Sequence, residues 1–299
     1  GLSLASPWDM LRVNSVQTFR ATDGILGPTL AEEAVMKRMC LSFAVAILAI
    51  GPVTSLSAQS FGNSMAVAGD QIIVGEPVYE MRSGVVYIFG RDSSGDWVEA
   101  QRIEPEGAEM GNRFGIRVAT QNDLLLVSAT RADAGTGTVY MYENDGSTWN
   151  PAGELNTDDR SPADSLGSGL AIDGDWIMVG TIGQNEGRGA AYVFHRDGDN
   201  WVQHSKLAPT TLNPVDRFGA NIAINGTHAF IAATSADEGQ GAVYAYEYDT
   251  GTDTWAPMGP LQAPLVNAQA AFGTDLKIDG DVALIGSPGN IVGIGSVMT

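Results

Sequence analysis

An aromatic residue or leucine followed by glycine recurs at Phe61-Gly62, Phe114-Gly115, Leu166-Gly167, Phe218-Gly219 and Phe272-Gly273, at steps of 53, 52, 52 and 54 residues. Three further columns keep the same beat. Tyr87, Tyr140, Tyr192 and Tyr244 each follow a glycine by three residues; Trp97, Trp149, Trp201 and Trp255 form the second column; Ile103, Leu155, Leu207 and Leu261 form the third. Self-similarity at a period of about 50 residues means that one module, unable to bury its own apolar faces, is stacked on copies of itself.

Each copy reads as four strands. The first alternates, with Met65/Val67, Val118/Thr120, Leu170/Ile172, Ile222/Ile224 and Leu276/Ile278 expected on one face. Short turns follow at Gly69-Asp70, Asn122-Asp123, Asp173-Gly174, Asn225-Gly226 and Asp279-Gly280, where glycine and asparagine supply the positive φ of a tight hairpin. The second strand is apolar throughout, as in Leu124 to Val127 and Trp176 to Val179, which implies cover on both faces. It ends in a small residue (Gly75, Ser128, Gly180, Ala232, Gly286), and a ten-residue connection leads to strand three. An Asp/Gly-rich hairpin then leads to the strand that carries the Trp and the Ile or Leu. A four-stranded antiparallel unit at this period predicts an all-β chain folded as a β-propeller, with the Trp and Tyr columns packed between blades.

At these residues the chain resembles the FG-GAP repeat family, the integrin α-type propeller repeats found also in bacterial exported proteins. The Phe-Gly pairs open the repeat, and Gly75-Glu76-Pro77 and Gly286-Ser287-Pro288 best match the Gly-Ala-Pro that closes strand two. The resemblance covers residues 61–299 and implies a propeller, commonly seven-bladed, that binds protein or carbohydrate outside the cell. Integrin-type repeats often hold calcium in an Asp-rich loop between strands one and two. A two-residue turn with one or two carboxylates cannot present the six to eight oxygens that calcium takes, so that site is not carried over. Four full repeats begin at 61, 114, 166 and 218; a fifth, from 272, stops within its third strand, as expected for a fragment of a larger ring.

Upstream, Met36-Lys37-Arg38 precedes an apolar run from Cys40 to Gly51 and the small residues Ser55 to Ala58. Twelve residues make a helix of about 18 Å, too short for the ~30 Å hydrocarbon layer. Residues 36–58 therefore read as a signal peptide. Residues 1–35 read as an upstream leader outside the mature protein, and 59–299 as the propeller. Secretion or display at the cell surface follows, with membrane contact only during export. Lys+Arg 16 against Asp+Glu 35 gives a net charge of −19, which repels a phosphate backbone and excludes nucleic acid as a partner.

Candidate ligand-facing residues lie in the ten-residue connections: Glu76, Glu80 and Arg82; Arg131 and Asp133; Glu186 and Arg188; Asp237 and Glu238. No catalytic residue, metal ligand or cofactor is expected. Weak calcium binding at hairpins such as Asp197-Gly198-Asp199 is the sharper alternative to plain solvated turns, which backbone preference alone explains. The three histidines (His195, His204, His228) share no metal-ligand spacing, and surface or packing roles are expected for His195 and His204. The expected function is that of an exported, non-enzymatic binding or adhesion module for an extracellular protein or glycan, carried as a monomeric unit of a larger chain. The alternative is an extracellular propeller hydrolase or lyase acting on carbohydrate through loop carboxylates.

Overall fold

The computed structural model describes residues 60–78, 82–107, 109–261, 270–280, 282–289 and 296–298. The expected leader (1–35) and signal peptide (36–58) lie outside them.

Four four-stranded antiparallel sheets follow one another along the chain. They are β1(Ser64–Ala68) to β4(Trp97–Ile103), β5(Phe114–Gln121) to β8(Trp149–Leu155), β9(Leu166–Asp173) to β12(Asn200–Leu207), and β13(Phe218–Asn225) to β16(Thr254–Leu261). In each, sequence neighbours pair in simple order, and a fifth sheet pairs β17(Leu276–Asp279), β18(Val282–Ser287) and β19(Ser296–Met298) in the same way. The first strands β1, β5, β9, β13 and β17 pack side by side in chain order. The fourth strands are the most exposed, as in β8, where only Trp149 and Leu155 are buried. The sheets thus radiate from an inner row of first strands as blades, and the fold is an all-β propeller. Among the described residues no ladder joins the fifth sheet to the first.

The second strands are buried on both faces, as their continuous apolar runs predict: all six residues of β10(Trp176–Thr181) are buried. Alternate side chains serve different interfaces. Ile177 and Val179 pack with Leu126 of the preceding blade, while Met178 packs with Ile231 of the following one. First strands differ from the expected one-faced alternation. Ile222 and Ile224 face the preceding blade, but Ala223 packs against the following one with Phe272 and Leu276. The inner strands are crowded on both sides, and alanine is what the closer approach admits.

Register corrects three of the five expected turns. Asp173, Asn225 and Asp279 pair with Trp176, His228 and Val282, so each is the last residue of its strand, not the first of its turn. The left-handed position falls on the next residue, Gly174 (φ 58), Gly226 (φ 57) or Gly280 (φ 56), matching Gly69 and Asn122 in the first two blades. The freed polar side chains reach the neighbouring blades. Gln121 donates to Asp173 Oδ1 at 3.2 Å, the Gly226 amide donates to Asp173 Oδ2, and Asn225 donates to the Gly280 carbonyl at 3.0 Å.

The Phe-Gly pair and the small residue ending strand two turn out to be two halves of one contact. The pairing of β5 with β6(Leu124–Ala129) jumps from Phe114↔Ala129 to Arg117↔Ser128, and β13 jumps likewise between Phe218 and Asn221. The bulge pushes the glycine, at φ +84 in Gly115 and +88 in Gly219, against the preceding blade. A Cβ on Gly75 would lie 2.1 Å from the Gly115 oxygen, and one on Gly180 would lie 1.8 Å from the Gly219 oxygen. Phe114, Phe218 and Phe272 are buried beside these glycines, with Phe114 and Phe218 edge-on to Tyr140 and Tyr244 at 5.5 and 5.3 Å.

Candidate ligand-facing site

An antiparallel meander sorts its connections onto two faces of the propeller. The strand two–three connections and the blade-to-blade linkers share one face, and the two kinds of hairpin share the other. The connections at residues 131–137, 183–189 and 235–241 are near-copies built on two successive left-handed residues. These are Asp133 and Ala134 (φ 50 and 55), Asn185 and Glu186 (φ 52 and 60), and Asp237 and Glu238 (φ 52 and 59). Non-glycine residues pay about 1–2 kcal/mol each for that conformation, so the surroundings must hold them there. Each turn closes on itself, as when the Gly137 amide donates to the Ala132 carbonyl at 3.0 Å. It is then bound to the next blade: Leu166 N–H donates to Thr136 O at 2.8 Å, Phe218 N–H to Arg188 O at 2.8 Å, and Phe272 N–H to Gln240 O at 2.8 Å. The connections are rigid clamps between blades.

On these clamps Asp133, Glu186, Asp237 and Glu238 are exposed, and so is Arg131, whose amide donates to Asn112 O at 3.0 Å. Arg188 is partly buried; it bonds Glu186 at 2.7 Å and the linker carbonyl of Leu212 at 3.2 Å. Glu76 is different. It is the last residue of β2(Gln71–Glu76), is 3 % exposed, and accepts hydrogen bonds from the Tyr87 hydroxyl at 2.7 Å and from Arg82 at 3.3 Å. It therefore faces the blade interior, whereas the sequence reading set it in a ligand-facing loop. Glu80 lies outside the described residues. Of the exposed candidates, Arg131 lines a shallow hollow of about 600 Å³ between its turn and Met110, Ala163 and Ser165.

The same face holds a cluster that the sequence reading missed. Asp159, on the linker after β8, accepts from the Tyr192 hydroxyl and, at 2.6 Å, from the Lys206 ammonium. Gln184 donates to the same hydroxyl at 2.7 Å, and the Lys206 ammonium lies 5.3 Å from the Tyr192 ring centre. The first blade repeats the plan with Glu76, Tyr87 and Arg102, whose guanidinium stands 4.9 Å from the Tyr87 ring. Register was the available signal. Each tyrosine of the column stands opposite a fixed position of strand four, occupied by Arg102, Glu154, Lys206 and Pro260 in turn, so only the first and third blades place a cation there.

Burial, then the Glu76 bond and charge, pushes the Tyr87 phenol up to about 12; burial, then Asp159, raises Tyr192 as well. Burial opposes ionisation of Asp159, but the Lys206 and Tyr192 hydrogen bonds outweigh it and hold the carboxyl below its usual range. At neutral pH these groups are fixed donors and acceptors that orient a linker. Phenols raised on folding stabilise the fold fully below their unfolded value near 10, and that contribution is lost as pH rises through the folded value. Tyr142 and Tyr246, pushed up by burial, act in the same direction. Absorbance at 295 nm should therefore lag until far-ultraviolet circular dichroism collapses above pH about 11. Complete phenol titration near pH 10 with the sheet signal intact would contradict this burial.

On the hairpin face Asp145, Asp92 and Asp249 serve their own turns, unlike Asp173, which reaches the neighbouring blades. Asp145 accepts from the amides of Thr148 and Ser147 and from the Ser147 hydroxyl, bonds that hold its carboxyl far below the usual range. Asp92 accepts from the amides of Ser94 and Asp96, and Asp249 from that of Gly251. Among the described residues no group of three or more His, Cys, Asp or Glu side chains is gathered for a metal ion.

Blades of this topology, joined through a bulged Phe-Gly pair and a small residue closing strand two, define a β-propeller repeat protein. The FG-GAP repeat model matches residues 97–142, 149–194 and 201–246, and the chain is an FG-GAP repeat protein. Each matched stretch opens on the Trp of strand four and ends two residues after the Tyr of the next blade's strand three, so the sequence unit straddles the interface that the Phe-Gly pair seals. No curated protein matches the chain.

Proposed function

We propose that this chain is an exported, non-enzymatic binding module that holds an extracellular protein or glycan on the face carrying the strand two–three clamps. The observation that supports this reading is the clamps themselves: three consecutive blades present the same strained turn, each hydrogen-bonded to the next blade, with charged side chains pointing outward. A preorganised polar surface loses little conformational freedom on association, so weak single contacts from successive blades add up. Export rests on residues 36–58, and the acidic surface suits an extracellular setting.

The test is surface plasmon resonance of the intact chain against purified extracellular matrix proteins and a glycan array. It is repeated with Asp133, Glu186, Asp237 and Glu238 all changed to lysine. A binder in the first experiment that is lost, or weakened about tenfold or more, in the second supports the reading. Binding indifferent to the four changes removes the clamp face from it, and release of reducing ends from a polysaccharide substrate would replace it with hydrolysis. Residues 36–58 fused to a reporter enzyme should carry it out of the cytoplasm.

A further inference from the structure

Internal repetition allows the same five positions to be compared at successive blade interfaces on the hairpin face. Between the third and fourth blades they hold Trp176, His195 and His204 from one blade and Tyr248 and Trp255 from the next. Five rings fill the space: Trp176 lies 4.3 Å from His195, 5.0 Å from His204, 4.7 Å from Tyr248 and 5.5 Å from Trp255. Trp176 and Trp255 are 9 % and 5 % exposed as a result. Between the first and second blades the rings are fewer, but Trp149 sinks to 2 % exposure and its indole N–H donates to Gln71 at 2.8 Å. Between the second and third blades, Leu124, Glu143, Ala152, Arg196 and Trp201 take these places. Among the described residues no other ring takes the volume vacated by the missing ones, and Met141 and Ile172 line it instead. All five residues line a cleft of about 370 Å³, and Trp201, packed against the Leu126 and Phe194 cluster, is left partly exposed on its wall with no hydrogen-bond partner for its indole N–H among the described residues.

We propose that this cleft is a carbohydrate subsite that takes an uncharged hexose unit. Trp201 offers an apolar ring face with a polar edge, the arrangement suited to the C–H face and hydroxyl rim of a pyranose. Glu143, Asp123 and Asp199 supply acceptors around the cleft and Arg196 a donor. Three carboxylates to one guanidinium, on a chain of net charge −19, disfavour uronates and other acidic sugars. The volume falls within the range of small-molecule sites, about 300–1,000 Å³, and fits one or two sugar rings. The site is distinct from the clamp face and does not depend on it.

Tryptophan fluorescence and calorimetry of the intact chain titrated with galactose, glucose, mannose and N-acetylglucosamine oligosaccharides test the proposal, with oligoglucuronate as the charged arm. At least one uncharged series should bind in a saturable way and oligoglucuronate at least about tenfold more weakly. Trp201→Ala should abolish saturation. Leu124→Trp, which rebuilds the ring found at the next interface, should also abolish it while leaving the circular dichroism spectrum and melting temperature close to those of the parent chain. No saturable binding of any uncharged series at millimolar sugar would overturn the subsite. So would binding unchanged in Leu124→Trp, or tighter binding of oligoglucuronate. Loss of glycan binding in the clamp-face lysine variant, with the Leu124→Trp chain still binding, would assign the glycan to the other face.

Discussion

Gly219→Ala is expected to destabilise the propeller by about 2–5 kcal/mol. Two separate costs fall on one methyl group. Gly219 sits at φ +88, where an L-residue loses roughly 1–2 kcal/mol. Its Cβ would also stand 2.4 Å from the Ala190 oxygen and 3.0 Å from both the Gly180 Cα and the Thr181 nitrogen. These obstacles are backbone atoms of the preceding blade's second and third strands, fixed by their ladders, so relief requires the two blades to part. Overpacking of this kind costs about 1–3 kcal/mol, sometimes more. Gly180→Ala tests the other half of the same contact and should cost less. Its Cβ meets the Gly219 oxygen at 1.8 Å, but the equivalent positions Ser128 and Ala232 show that the interface can widen when the Phe-Gly glycine is kept. Gly90→Ala, whose Cβ would make only an ordinary 3.6 Å contact with Ala100, is the control and should change stability by less than about 1 kcal/mol. For a domain of this size, about 3 kcal/mol is a fall of roughly 6–12 °C in melting temperature. Urea denaturation that ranks Gly219→Ala beside Gly90→Ala would refute the sealed-pair account.

The columns of Trp, Tyr, Leu and Phe-Gly were legible because each is a packing requirement renewed at every interface. What they did not disclose was direction. Trp97 and Ile103 are six residues apart on one strand, a spacing that puts both on one face of a regular strand. In the structure Ile103 packs toward the second blade, whereas the Trp column faces backward, with Trp149 packing against the first. A bulge at Ala100, and at Ala152, His204 and Met258 in the later blades, reverses the parity midway. Nothing in the composition marks a residue that drops out of a ladder, so the flip could not be read from period alone. The candidate loops show a similar gap. Their length and charge were plain, but the paired left-handed residues fall on Asp, Asn, Glu and even Ala134, which glycine-based turn reading passes over. Burial of Glu76 was hidden because its partners, Tyr87 and Arg82, come from the following strand and loop.

The same parity flip makes Trp149→Ala the second large effect, at about 3–5 kcal/mol for a buried Trp. The ring of Trp149 is enclosed by its own blade and by the first, in a cluster with Ile73, Ile88 and Leu125. Its removal opens a cavity at a seam between two rigid sheets, where collapse is limited, and strands the Gln71 amide oxygen that its indole N–H had satisfied. The backbone of residue 149 keeps its place, because Gln101 both donates to the Trp149 carbonyl and accepts from its amide at 2.8 Å. The loss is therefore attributable to the ring. Trp149→Phe should recover part of it yet leave Gln71 unpaired, and adding Gln71→Leu to that variant should restore about 1 kcal/mol. Trp201→Ala, at the open interface, should cost markedly less than Trp149→Ala, because its ring already borders a cleft and leaves a smaller enclosed void. Equal losses at the two positions would mean that the second and third blades close over Trp201 in solution, and the difference between interfaces would disappear with it.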